Sequence, residues 1–243
     1  MTEAEWFACT DPQIMLQFLL RNKASDRKLR LFAVACCRRV WDWLGDRSRH
    51  AVEVVERYVD GLASGEELHI AAKRAADEWV SEFGTHHPSN AAYCLTLFGN
   101  TTAHDAAVGV TAEVVEAVRC EACTTTGISL QGWPSKADPV VTKVCIEAGE
   151  AATVTERETQ SRLLRDMFHG PRRPVLVRSS WKTAAVVELA RQFYVEKTFH
   201  RLPALAEALV SSGCDNADFL DSFQQRGQHV RGCWFLDVLL GKG

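Results

Sequence analysis

"SDRKLRLFAVACCRRVWDWL", Ser25–Leu44, decides the fold. Leu29, Phe32, Ala33, Cys36, Val40 and Trp43 recur at three- and four-residue steps, which puts them on one stripe of a helix. Leu31, Val34, Cys37 and Trp41 widen that stripe. A helix so apolar must be covered on several sides, so Asp26–Leu44, with Ser25 at its N-cap, is expected at the centre of a helical array.

The same signals continue outward. Upstream, Thr2 with Glu5 forms a capping box and Asp11 precedes Pro12, so "TEAEWFAC" and "PQIMLQFLLRN" read as two short helices. Downstream, Gly45 and Asp46 interrupt the pattern before "DRSRHAVEVVERYVDGLAS" resumes it, and Ser64 with Glu67 opens "GEELHIAAKRAADEWVSEF". "GTHHPS", Gly84–Ser89, reads as a loop, and the helices "NAAYCLTLF" and "TAHDAAVGVTAEVVEAVRCEA" follow. Periodicity lapses in "CTTTGISLQGWPSKAD". The expected organisation is therefore an N-terminal helical domain over 1–123, an irregular junction over 124–137 and a C-terminal helical domain over 138–243, packed separately or as one unit.

Beyond the junction, Pro139 starts a helix that runs toward Gly170, either whole or broken near Gly149. "PVLVRSS" is the one strand-like stretch, short and solitary. "SWKTAAVVELARQFYVEK", "RLPALAEALVSSG" and "DNADFLDSFQQRG", the last with Asp215 as its cap, lead to a terminal helix from His229 to Leu240. Short links between amphipathic helices favour antiparallel neighbours, so the expected fold is all-α: an orthogonal or bundle-like array of about ten to twelve helices.

Composition sets the class. The 243 residues are 47% hydrophobic and 24% charged, enough for a sizeable core. A net charge of -3 gives no overall pull toward nucleic acid or anionic membrane. Nine cysteines, an odd number that includes the adjacent Cys36 and Cys37, lie mostly within helical patterns, which is reduced, cytoplasmic usage. "MTEAEWFACTDP" lacks a basic and an apolar secretory region, and no run of about 18 uncharged apolar residues occurs, so neither export nor membrane spanning is expected.

Three constellations carry chemistry by residue type. In "HVRGCWFLDVLLGKG", a helix starting near His229 would align His229, Cys233 and Asp237 on one face, a thiol beside imidazole with a carboxylate beyond. Val230, Trp234, Leu236, Val238, Leu239 and Leu240 make the same helix apolar around most of its circumference, as a core helix would be. Asp237 then needs a cation or backbone donors, for instance an arginine of "DRKLR" or "RR". For a metal, Cys214, His229 and Cys233 lie at C-x14-H-x3-C, and Cys120 with Cys123 forms C-x2-C; no second close pair follows to complete a tetrahedral zinc site. For nucleic acid, Arg27, Lys28, Arg30, Arg38 and Arg39, with Arg47 and Arg49, form a basic strip that would serve phosphates or pair with acids such as Glu53, Glu56, Glu66 and Glu67. No phosphate-cradling glycine loop, nucleophile elbow, H-E-x-x-H or dinucleotide fingerprint is present, and no cofactor is expected.

"ASDRKLRLFAVACCRRVW" and "RHAVEVVERYVDGLAS" in the first half, with "LPALAEALVSSGCDNADFL" and "HVRGCWFLDVLLGK" in the last third, resemble a family of bacterial proteins of uncharacterised function, frequent in planctomycete-type genomes. Residues 90–159 share only its looser alanine-rich helical character. The resemblance implies a recurring terminal architecture, also found attached to other modules, and assigns no site residue. The expected function is a non-enzymatic cytoplasmic helical interaction or scaffold module whose partner is another protein. The alternatives are a cysteine-dependent or zinc-assisted enzyme centred on Cys233 and His229, and a nucleic-acid binder acting through the Arg27–Arg49 strip.

Overall fold

Twelve α-helices and no strand occur among the described residues of the computed structural model, which are 1–81, 87–96, 102–125, 139–168, 170, 177–224 and 229–242. The helices are α1 (Glu3–Ala8), α2 (Pro12–Arg21), α3 (Asp26–Arg39), α4 (Asp46–Tyr58), α5 (Gly65–Ser81), α6 (His87–Thr96), α7 (Ala103–Thr125), α8 (Pro139–Met167), α9 (Ala184–Glu196), α10 (Leu202–Ser211), α11 (Ala217–Gln224) and α12 (Trp234–Leu240). Short 3-10 turns occupy Trp41–Trp43, Ser179–Trp181 and Phe199–Arg201. The all-α array is thus as expected, and none of the described helices is long and apolar enough to cross a membrane.

The chain divides into two units, Cys9–Arg162 and Met1–Ala8 with Leu163–Gly243. The division runs inside α8 and not through 124–137, most of which lies outside the described residues. Along α8, Cys145, Glu156 and Gln160 are buried in the larger unit, and Leu163, Leu164 and Met167 in the smaller. α8 passes Gly149 without a break.

In the larger unit α3 is central, as its apolar breadth requires. Leu31, Phe32, Ala33, Cys36 and Cys37 are buried, and the helix packs on α7, α4 and α6. It stops at Arg39 and does not reach Leu44. The carbonyls freed at Trp41 and Asp42 accept from the Arg49 guanidinium, at 3.0 and 3.3 Å. Arg38 and Arg49 lie 4.9 and 5.8 Å from the Trp41 ring centre, so cation–π contacts hold the turn where a helix would have continued. Glycines let helices approach closely: a Cβ on Gly149 of α8 would come 3.1 Å from Cys123 Sγ of α7.

The capping boxes at Thr2–Glu5 and Ser64–Glu67 form as read, and Thr102–Asp105 opens α7 in the same way. Two boundaries differ from expectation. His87–Ser89 begin α6 and are not loop, since proline fits the first helical turn. α11 is capped by Asn216, whose Oδ1 accepts from the Phe219 N–H at 2.9 Å, and not by Asp215, which pairs with Arg178. Of the strand-like "PVLVRSS", 174–176 lie outside the described residues, and Ser179 and Ser180 enter a 3-10 turn.

The smaller unit has an aromatic core. Trp181, Phe193, Tyr194, Phe219, Phe223, Trp234 and Phe235 are buried together with Leu202, Leu205 and Leu209. Phe219 meets Phe223 edge-on at 5.1 Å between ring centres and Trp234 at 5.6 Å. Offset and edge contacts of this kind add to the area that the rings bury.

Candidate functional site

The C-terminal segment departs most from its expected form. α12 begins at Trp234, five residues later than expected, because Gly232 adopts φ +91°, a left-handed conformation that a continuing helix cannot contain. Cys233 is therefore the N-cap residue, with φ -55° and ψ 136°. Its N–H donates to the Val230 carbonyl at 3.1 Å and its own carbonyl accepts from the Asp237 N–H at 3.1 Å. The expected common helical face of His229, Cys233 and Asp237 does not exist.

His229 turns instead to a residue that spacing did not indicate. Its Nδ1 lies 2.6 Å from Asp166 Oδ1, and the Val230 N–H donates to Asp166 Oδ2 at 3.2 Å. Asp166 stands in the last turn of α8, so one carboxylate fastens the start of the terminal segment by side chain and backbone together. The imidazole also meets the Phe235 ring edge-on at 5.1 Å. The imidazole is thus held against a carboxylate, the partner by which a catalytic histidine is oriented. The thiol expected to exploit it is elsewhere: Cys233 is fully buried within the aromatic core.

The rest of the segment is held in the same manner. Asp237 is buried and its carbonyl accepts from the Lys242 N–H at 2.8 Å, closing α12 around Gly241, which has φ +68°. Lys182 Nζ donates to the Val238 carbonyl at 2.6 Å, a cation placed at a helix C-terminus. Arg231 and Lys242 lie 4.6 and 5.0 Å from the Tyr194 ring centre. Of the arginines expected to serve Asp237, Arg27, Arg38 and Arg39 pair with Asp60, Glu56 and Glu156.

Those same pairs dispose of much of the basic strip. Arg27 Nε reaches Asp60 at 2.9 Å, Arg38 bonds Glu56, and Arg39 embraces Glu156 through Nε and Nη2 at 2.7–2.9 Å. Burial works against the Arg39 charge, but Glu156 outweighs it and holds the guanidinium above its ordinary pKa. Glu156 also accepts from Gln160 Nε2 at 3.1 Å, and that amide donates again to the Thr111 carbonyl at 3.3 Å. Arg30 is buried, which lowers its pKa. Of the acids expected as partners only Glu56 answers the strip; Glu67 pairs with Arg57.

For metal, no group of three or more His, Cys, Asp and Glu among the described residues is arranged to hold an ion. Cys214 and Cys233 belong to the aromatic core of the smaller unit, while Cys120 and Cys123 lie on α7 in the larger one. Cys123 donates to the Cys145 carbonyl of α8 at 3.3 Å. Burial pushes the Cys36 and Cys37 thiols far up, and the Cys123 thiol up to about 11.

The anchors that the sequence did not disclose are acids. Besides Asp166 and Glu156, Glu78 of α5 caps α4 from outside, accepting from the Ser48 N–H at 2.9 Å, the Arg47 N–H at 3.4 Å and the Ser48 hydroxyl. No protein-family model, curated protein or solved structure matches the chain.

Proposed function

We propose that this chain is a non-enzymatic helical interaction module of the cytoplasm, and that its partner is another protein. What supports the reading is where the chemistry-bearing side chains are spent. His229 fastens to Asp166, Arg39 to Glu156, Arg38 to Glu56 and Arg27 to Asp60, and the Cys233 side chain is buried in the aromatic core. The outward helix faces offer aliphatic surface instead. On α2, Ile14 and Leu20 are each 52% exposed, Gln17 is exposed and Phe18 half-buried, and Arg21 is the only charge in the helix. A weakly charged face with large apolar side chains suits a protein partner better than a polyanion. The free state of all nine cysteines supports a reducing compartment.

The test places a photo-crosslinking residue at Gln17 in cells that express the chain natively. A protein adduct of defined mass is expected, and it should disappear when Ile14→Glu and Leu20→Glu are added, with the melting temperature unchanged. An adduct indifferent to those substitutions, or none at all, refutes the reading. The enzymatic alternative predicts fast native labelling of Cys233 by iodoacetamide, and slow labelling removes it.

A further inference from the structure

From the way α7 meets α8, we infer a thiol oxidation site: Cys123 and Cys145 close into a disulfide that staples the two helices, with half-buried Cys120 as the first thiol to react. Cys123 and Cys145 are both buried, 2% and 1% exposed, and the Cys123 S–H donates to the Cys145 carbonyl at 3.3 Å. Gly149, one turn after Cys145, brings the helices together here: Cys123 Sγ sits 3.1 Å from where a Cβ of residue 149 would be. Cys120 lies one turn before Cys123 on α7 and is half-buried. Two buried thiols thus share one interhelical seam, with half-buried Cys120 one helical turn away on α7.

The chemistry balances as thiol–disulfide exchange with a low-molecular-weight disulfide. The Cys120 thiolate attacks one sulfur of the oxidant, its S–S bond breaks, and the departing thiolate takes up the proton that Cys120 lost. Cys145 then attacks the Cys120 sulfur, expelling the second small thiol, and Cys123 attacks the Cys145 sulfur, restoring the Cys120 thiol. Two S–H bonds are exchanged for one S–S bond, and one oxidant molecule is reduced to two thiols. Burial, the largest cause, raises the Cys120 and Cys123 thiols; Arg119 opposes it at both, Glu116 and Cys145 reinforce it at Cys120, and Cys145 and Cys120 reinforce it at Cys123. The reaction is accordingly slow at neutral pH and accelerates about tenfold per unit below the thiol pKa.

The test incubates the full chain with oxidised glutathione and maps peptides by mass spectrometry without reduction. A Cys123–Cys145 cross-linked peptide is expected, formed about tenfold more slowly in Cys120→Ser, reversed by dithiothreitol, and accompanied by a higher melting temperature. Stable glutathionylation of Cys120 with no internal bond overturns the inference. So does a first cross-link among Cys36, Cys37 and Cys94, or a Cys123–Cys145 bond whose rate Cys120→Ser leaves unchanged.

Discussion

Replacing Glu156 by glutamine removes one charge from a buried ion pair and almost no volume. The Glu156 side chain is 2% exposed and that of Arg39 is 24% exposed, with three contacts of 2.7–2.9 Å between them. Stripping the partner from a fully buried ion costs about 3–5 kcal/mol, because the remaining charge is left without compensation. Water reaches part of the Arg39 guanidinium, which brings the expected cost of Glu156→Gln down to about 2–3 kcal/mol. In a domain of this size that lowers the melting temperature by roughly 5–10 °C. The measurement is urea unfolding followed by circular dichroism at pH 7, repeated at high salt, which should alter the difference little because the pair is shielded from ions.

The double variant Arg39→Met with Glu156→Met gives the sharper result. With both charges gone the seam becomes apolar, and stability should return to within about 1 kcal/mol of wild type. If Glu156→Gln costs less than about 0.5 kcal/mol, or the two methionine substitutions simply add, the pair behaves as a surface ion pair and the argument fails. Arg39 would then be spare for a polyanion, as the basic-strip reading requires.

Trp234→Ala should cost about 3–5 kcal/mol, since the indole is buried against Phe219 and Phe235; a near-neutral effect on urea unfolding would contradict the aromatic core. Gly45→Ala should cost about 1–2 kcal/mol, because the new Cβ would lie 2.7 Å from Glu78 Cδ and push that carboxylate off the α4 N-terminus. The same loss should follow from Glu78→Ala, and in calorimetry the two together should cost scarcely more than one; additive losses refute the shared cause. The Cys94 and Cys123 thiols are both pushed from 9.0 to about 11, chiefly by burial. The unfolded chain therefore ionises first, so their contribution is whole below about pH 9 and lost by about pH 11. Urea midpoints falling over that window, and flattened by Cys94→Ala with Cys123→Ala, check the sign.

Helices were legible in this chain because their signals are local. The stripe through Leu29, Phe32 and Cys36 and the caps at Thr2, Asp11 and Ser64 each lie within a few residues, and the structure uses all of them. The Thr102–Asp105 box at the start of α7 is a local signal of the same kind. Apart from Glu56, which was among the acids expected for the basic strip, spacing could not supply the partner of each charge. Arg38 meets Glu56 across 18 residues, Arg27 meets Asp60 across 33, His229 meets Asp166 across 63 and Arg39 meets Glu156 across 117. No periodicity connects such pairs, since they arise only when helices cross. The division between the two units inside α8 was hidden for a related reason: a long amphipathic helix looks uniform in sequence even where its two ends belong to different cores.

The late start of α12 shows how one residue redirects a site. "HVRGCW" satisfies the four-residue spacing that would align imidazole, thiol and carboxylate, yet Gly232 in its left-handed conformation places His229 outside the helix. Once the helix begins at Trp234, the amide of Val230 and the ring of His229 both lie ahead of it. Asp166 meets both with one carboxylate, which is why a fastening stands where a catalytic pair was conceivable. Cys233, drawn to the N-cap, then spends its backbone on the turn and its side chain on the core. The residues that looked reactive are those that anchor the terminal segment, because both tasks select polar groups able to bond at short range inside an apolar setting.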